Sequence, residues 1–265
     1  MNYDRIRSII EDFVAQDPGN KVPEGPAIFD SPLVGFIEAT DPIFDDFGKP
    51  GIIGPHHRHP LEWLTSAQTV ISYFLPISED IRRSNVPGES ASTQWLFARF
   101  WGEALNERLR RILVARLQDA GFDAMAPPFS DEYEVLDMNS NWSERHVAFA
   151  AGLGSFGLNR GLITVKGSAG RFGSVVTSLP VEDVGRHRPD PFEACPSVAD
   201  GSCGKCVERC PAGAITVLGK DRSICSRYLR EIQGPTVRST MGFPYSPCGK
   251  CYVDVPCEAE SPGTA

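Results

Sequence analysis

Cysteine is missing from the first 194 residues of this 265-residue chain, which therefore holds neither a thiolate metal cage nor a disulfide over most of its length. Long apolar runs are missing too. No segment approaches the roughly 20 uninterrupted apolar residues of a membrane helix, and the opening MNYDRIRSIIEDF carries acids where a secretory leader would continue as an apolar core. These absences predict a cytoplasmic protein with no membrane partner. A basic excess is also lacking: 26 Lys and Arg face 34 Asp and Glu, for a net charge of -8, which repels phosphate backbones and disfavours nucleic acid as a partner. With no low-complexity tract, the length suits one well-buried core and a small satellite.

All eight cysteines fall between positions 195 and 257, dividing the chain into an expected body, 1–190, and a cysteine-bearing domain, 191–265. In the body, Ile6, Ile9, Ile10, Phe13 and Val14 recur at a period near 3.6 and predict a helix ending before Asp17-Pro18-Gly19. Eight prolines between residues 18 and 60 predict a wrapping segment, with a short strand at Leu33 to Ile37. Val70 to Leu75 reads as a buried strand preceded by a helix from Leu61, and Leu105, Leu109, Ile112, Leu113 and Leu117 mark one face of a helix stopping at Gly121. Strands at Gly161 to Val165 and Gly173 to Leu179, after a helix around Ser143 to Ala151, complete a layered α/β or α+β body with an open sheet.

The cysteine spacing carries the chemistry. Cys203-Gly204-Lys205-Cys206 is followed by Cys210-Pro211 after three residues, which keeps the last three cysteines and the proline of the ferredoxin-type C-x2-C-x2-C-x3-C-P run; Cys195 stands in for the displaced first member. Cys225, Cys248-Gly249-Lys250-Cys251 and Cys257 bring the thiols to the number that two [4Fe-4S] clusters need. Because the fourth cysteine of such a run serves the other cluster, the expected sets are Cys195, Cys203, Cys206, Cys257 and Cys210, Cys225, Cys248, Cys251. Two four-thiolate zinc sites use the same residue type, and disulfides are a third use for the thiols, but the Cys206-x3-Cys210-Pro211 spacing favours iron and sulfide. Residues 201 to 257 carry eight Lys or Arg against four Asp or Glu, which either is surface variation or offsets bound anionic centres.

Several segments together resemble the epoxyqueuosine reductase family, which is related to the catalytic region of cobalamin-dependent reductive dehalogenases. They are His59-Pro60 with Leu61-Glu62-Trp63-Leu64, Val70-Ile71-Ser72-Tyr73, Glu144-Arg145, the run from Ala151 to Ile163, and the cysteine region with Cys225-Ser226-Arg227-Tyr228-Leu229. The resemblance spans residues 58 to 257. It implies a nitroreductase-like layered body that binds cobalamin, joined to a C-terminal ferredoxin-like two-cluster module, with electrons passing through both clusters to the corrinoid. Such an enzyme takes electrons from a reduced ferredoxin or flavodoxin-like donor. The family's acidic proton donor lies shortly before its Glu-Arg pair; Asp137 is the candidate here, although the aligned register falls on Met138. The sequence also departs from the family in Cys251-x5-Cys257-Glu258, where three residues and a proline are usual, and the helical-repeat region of longer members is not expected.

Gly152-Leu153-Gly154-Ser155-Phe156-Gly157 matches G-x-G-x-x-G, but a helix before it and a strand after it reverse the order a dinucleotide site requires. Gly152, Gly154 and Gly157 are instead candidates for close backbone approach to a bulky cofactor. Trp95 and Arg99, with Phe97, Phe100 and Trp101, either line a planar pocket or pack a helix; Arg160 and Lys166 are candidate cofactor contacts. His56, His57 and His59 read as an exposed or substrate-facing loop, and His146 as packing or surface. The sequence thus predicts an iron-sulfur oxidoreductase, possible cobalamin included, reducing a small organic substrate. A non-catalytic electron-transfer or interaction module and a zinc-stabilised interaction protein are its alternatives. Substrate and oligomeric state stay open.

Overall fold

The computed structural model describes residues 1–136, 138–182 and 190–262. Its centre is a four-stranded sheet in the order Leu33–Glu38, Thr69–Pro76, Gly170–Thr177, Ala124–Met125, antiparallel throughout. Mixed helix and strand with an antiparallel sheet is the α+β member of the two expected classes. The branched and aromatic run Thr69–Pro76 occupies an interior position and is buried at every residue, so both of its faces must be covered.

One face packs Ile71, Tyr73 and Leu75 against two helices. The first, Tyr3–Gln16, is capped by Asn2, whose side chain accepts the Arg5 N–H at 2.9 Å, and buries Ile6, Ile10 and Val14. The second runs from Thr93 to Asp119; Ser92 caps it by accepting the Trp95 N–H at 3.1 Å, and Leu105, Leu109, Leu113 and Leu117 form its buried stripe. Each buried leucine contributes about 1.5–3 kcal/mol of apolar transfer. Gly121 takes φ +85° just beyond the helix, a left-handed position that a side chain disfavours. The opposite face packs Val70 and Val176 against Phe44, Phe47, Trp63, Trp142 and the helix Glu144–Ala150. The helix expected from Leu61 shrinks to Pro60–Trp63, because Leu64 is already extended.

The cysteine-bearing residues are short helices and one small hairpin, Ile215–Thr216 with Gly219–Lys220. Their apolar cluster holds Leu158, Ile163, Ala194, Ile215 and Val255 together with Cys195 and Cys206. Hydrogen bonds tie this part to the body: Ser168 N–H and Oγ both donate to the Cys257 carbonyl at 2.9 and 2.8 Å, and Asn159 Nδ2 donates to the Cys251 carbonyl at 2.7 Å. Trp95 Nε1 donates to the Pro247 carbonyl at 2.8 Å. Among the described residues no helix is long and apolar enough to cross a membrane.

Candidate active site: a cavity walled by four of the eight cysteines

Between body and cysteine segment lies a cavity of about 930 Å³, at the upper end of the range for ligand pockets. Four cysteines reach it: Cys210, Cys225, Cys248 and Cys251. The other four, Cys195, Cys203, Cys206 and Cys257, surround a second, much smaller void. The two groups are the two sets expected from spacing, including the crossover by which Cys210 leaves its run and Cys257 joins the earlier one.

All eight thiols are free. Burial pushes the Cys206 thiol up to about 12, with neighbouring cysteine sulfurs adding to it, and burial pushes Cys248 and Cys257 up to about 11. A thiol in such a place becomes a thiolate only beside a compensating cation, which is what a metal centre supplies. Hydrogen bonds already point at three sulfurs: Leu158 N–H at Cys195 Sγ, 3.4 Å; Ser168 Oγ at Cys257 Sγ, 3.7 Å; and Ala214 N–H at Cys210 Sγ, 3.3 Å. The donor set fits soft, iron-sulfur ligation. Among the described residues no three His, Cys, Asp or Glu side chains converge closely enough to hold one metal ion.

The body's wall of the cavity is a charged network on the long helix. Arg99, Glu103, Asn106 and Arg110 recur at helical spacing. Arg110, 4% exposed, stands 3.3 Å from both Glu103 Oε1 and Glu144 Oε1, and Arg171 stands 3.0 Å from Glu103 Oε2. Burial raises the Glu103 carboxyl, but Arg171, Arg110 and Arg99 outweigh it and hold the group below the usual carboxylate range. Glu144 goes the other way, since burial exceeds the help of Arg110 and holds its carboxyl above the usual carboxylate range. Burial and then Arg99 lower Arg171 to about 10. Asn106 anchors the helix to the sheet: its Oδ1 accepts from Tyr73 Oη at 2.7 Å, and its Nδ2 donates to the Phe172 carbonyl at 3.1 Å. Lys220 enters the cavity beside Cys225 and Cys251; burial works against its charge, but the sulfurs of Cys251 and Cys225 and the Tyr252 phenol hold its pKa above the usual value.

Of the other expected site residues, Trp95 and Arg99 line the cavity. Trp95 is committed to the joint: its indole N–H is taken by Pro247, and a Cβ on Gly249 would meet the ring at 2.2 Å, so only glycine lets the Cys248 turn, with Gly249 at φ +68°, pack there. The G-x-G-x-x-G residues need correcting. Gly152 turns the chain after the helix Glu144–Ala150, Gly154 pairs with Thr164, where a Cβ would meet the Ile163 carbonyl, and Gly157 borders the smaller void; none lines the large cavity. Arg160, exposed at φ +63°, is likewise outside the cavity lining. Lys166 bonds Ser31 instead. Phe100 stacks on Phe243, and Phe97 meets Phe243 edge-on and Trp101 at a tilt, so these aromatics pack the segment before Tyr245. The candidate acid Asp137 lies outside the described residues.

Among the histidines, His57 and His59 differ from the expected exposed loop, and His146 packs as expected. His59 Nδ1 accepts the Leu61 N–H and its own N–H donates to Glu62, capping Pro60–Trp63. His57 stacks over Trp142, and His146 packs on Phe47 and Phe156. Burial lowers their pKa values to about 4 and about 3, so both are neutral packing groups. Glu103 and Arg110 were missed because a charged residue on an otherwise leucine-striped helix reads as solvated, although with Arg99 and Asn106 they fall in i, i+4, i+7, i+11 order; Arg171 comes from the strand Gly170–Thr177 and joins them only on packing.

Comparison with known proteins gives the same resemblance. No family profile matches the chain. The epoxyqueuosine reductase of Bacillus anthracis is 27% identical over 213 residues, covering 75% of this chain and 50% of that protein. The chain resembles epoxyqueuosine reductase. It spans about half the length of that relative. The epoxyqueuosine reductase structure from Streptococcus thermophilus superposes with a TM-score of 0.54 at 18% identity, covering 97% of this chain and 66% of the other. A catabolic reductive dehalogenase superposes with a TM-score of 0.54 at 15% identity, over 86% of this chain and 30% of the other. These two likenesses establish a shared fold. A further epoxyqueuosine reductase structure, at a TM-score of 0.50, was crystallised with an epoxyqueuosine-modified tRNA stem loop.

Proposed function

We propose that the protein is an iron-sulfur reductase that passes electrons through two [4Fe-4S] clusters to a corrinoid in the large cavity, for reduction of a small organic substrate. The observation that carries this reading is the sorting of eight free thiols into two groups, one of which opens into that cavity. Cys195, Cys203, Cys206 and Cys257 would hold the outer cluster, and Cys210, Cys225, Cys248 and Cys251 the cluster beside the cavity. The Cys206-x3-Cys210-Pro211 spacing supports cubanes over zinc. An open cavity supports an enzyme over a docking scaffold, whose vestigial pocket would be filled by side chains. On this reading the body is the corrinoid-binding, nitroreductase-like domain of residues 1–190, and residues 191–265 are the ferredoxin-like module.

When bound, the corrinoid supplies a strongly reducing metal. The chain's own groups would bind and orient it: Arg99 and Arg171 would meet an anionic group, and Tyr133 and Trp142, which line the cavity with Glu144, would wall a planar one. Asp137 remains a proposed acid. A reduced ferredoxin or flavodoxin-like protein is the proposed donor.

A second reading, a nucleic-acid substrate, is favoured by the neighbour solved with a tRNA stem loop and by local charge. Arg222, whose guanidinium contacts Asn139 and the Met138 carbonyl, is lowered by burial and then by Arg160 and Arg145, so three arginines gather within range of one another. The overall charge of -8 therefore does not argue against such a partner.

Anaerobic metal and sulfide analysis with cofactor extraction tests the proposal. Eight irons and eight sulfides, with cobalamin retained and a cobalt(I) optical signal on reduction, are expected. Zinc in the thiol sites, or cysteines paired with one another in an oxygen-free preparation, would overturn it. Intact clusters with no cobalamin retained and no cobalt(I) signal would overturn the corrinoid assignment alone.

A further inference from the structure

Cys-Gly-Lys-Cys occurs twice, as Cys203-Gly204-Lys205-Cys206 and Cys248-Gly249-Lys250-Cys251, and the two lysines have opposite surroundings. Lys205 lies on the surface and its ammonium stands 2.8 Å from Glu208. Lys250 is 1% exposed. Its Nζ donates to the carbonyls of Asn85 and Pro87, both at 2.7 Å, and both of these hydrogen-bond partners are neutral oxygens. A buried ammonium satisfied in hydrogen bonds but not in charge is strongly disfavoured unless an anion lies close by.

Cys248 and Cys251 flank it in sequence, and their sulfurs, once deprotonated, are anionic candidates. A cubane carrying four thiolates has a net negative charge, so a cluster beside Lys250 and Lys250 itself would each supply what the other lacks. The asymmetry extends to the two voids. Lys220 reaches the cavity beside Cys225 and Cys251, whereas the lining of the smaller void includes no lysine or arginine among the described residues, and Lys205, beside Cys203 and Cys206 in sequence, is on the surface and paired with Glu208. Arg209, next to Cys210, donates to the Val86 carbonyl at 2.8 Å and stands 3.9 Å from the exposed Asp254, adding a third cation on the same side. Hydrogen bonds to sulfur occur at both groups, and these are dipoles set against whole charges in a poorly screened interior.

We propose that Lys250 is the built-in counter-charge of the cluster at Cys210, Cys225, Cys248 and Cys251 and sets its reduction potential above that of the outer cluster. The inference rests on the two-cluster reading above and adds a direction to it. A low-potential one-electron carrier reduces the outer cluster. That cluster is then reoxidised by passing one electron inward, and the cluster at the cavity is reduced by one, with no bond made or broken. A positive charge fixed beside an anionic centre favours its more negative, reduced state.

The test is a redox titration of the full chain, reconstituted anaerobically and followed by electron paramagnetic resonance. Iron and sulfide are counted first: fewer than eight of each in the unmutated protein counts against the two-cluster reading and leaves no cluster pair to compare. With both clusters present, Cys225→Ser identifies the inner cluster's signal, and that signal is expected to develop first on reduction. Lys250→Met is expected to shift the electron's partition between the clusters at least tenfold toward the outer one, or 59 mV for a one-electron couple. Lys205→Met is expected to shift it less than threefold. A Lys250→Met protein with full iron and an unchanged partition would overturn the proposal. If that variant takes up no iron, the unmutated protein still decides: reduction of the outer cluster first overturns it, and reduction of the inner cluster first supports it.

Discussion

The body and the cysteine segment solve the same problem with different materials. The body closes two apolar layers over a sheet, with side chains such as Ile71, Leu105 and Leu109 wholly buried. The cysteine segment has a handful of apolar residues, and its sulfurs take part in what core there is. A unit of this size buries too little apolar surface to stand on hydrophobic burial alone. The first region carries its stability in its sequence, and the second depends on what its thiols hold and on the body it leans against.

The largest expected effect tests that dependence. Stripping iron under anaerobic conditions should leave the body resistant to limited proteolysis while residues 191–262 become cleavable, as mapped by mass spectrometry; equal resistance of both regions would remove the contrast. Next in size, Leu109→Ala should lower stability by about 2–5 kcal/mol in urea unfolding, because a fully buried side chain leaves a cavity, while iron per folded molecule stays the same.

The body also carries a pH dependence. His57 and His146 bind protons more weakly folded than unfolded, so their contribution is fully present above about pH 6.5 and is lost as pH falls toward about 4 for His57 and about 3 for His146. Each histidine gives stability a slope of up to about 1.4 kcal/mol per pH unit in its window, and His146→Phe should flatten the lower part of the profile.

At the joint, Trp95→Phe removes the indole bond to Pro247 and should cost about 1 kcal/mol, with faster iron loss than from the unmutated protein. The smallest effect belongs to the surface pair Lys205–Glu208, where Lys205→Ala should leave the urea unfolding midpoint unchanged within error.

How much of this was legible in sequence differs by region and by cause. The strand at Val70 to Leu75 and the leucine stripe of the long helix were readable, since burial of a continuous branched run and of every third or fourth residue leaves a pattern in one dimension. The helix begins a dozen residues before that stripe, in the stretch containing Trp95 to Trp101, because its first turns pack against the cysteine segment and the residues Phe243 to Tyr245, partners far away in sequence. Cysteine spacing separated the thiols into the groups that border the two voids, as ligand geometry constrains neighbours on short turns. The charged wall was not legible: Glu103 finds Arg171 and Arg110 finds Glu144 only after the sheet and helix pack. The glycine motif misled, since Gly152 and Gly154 answer to local turns and strand pairing and leave the cavity wall to others.

The interleaving of the two thiol groups bears on the order of manufacture. The outer group begins at Cys195 but is completed by Cys257, whose carbonyl is gripped by Ser168; the inner group opens at Cys210 and waits for Cys251. A ribosome threading the chain from its amino end delivers the last member of each set only after the body has emerged. On the two-cluster proposal neither cage could be filled before that point, so inorganic loading would follow synthesis of the body.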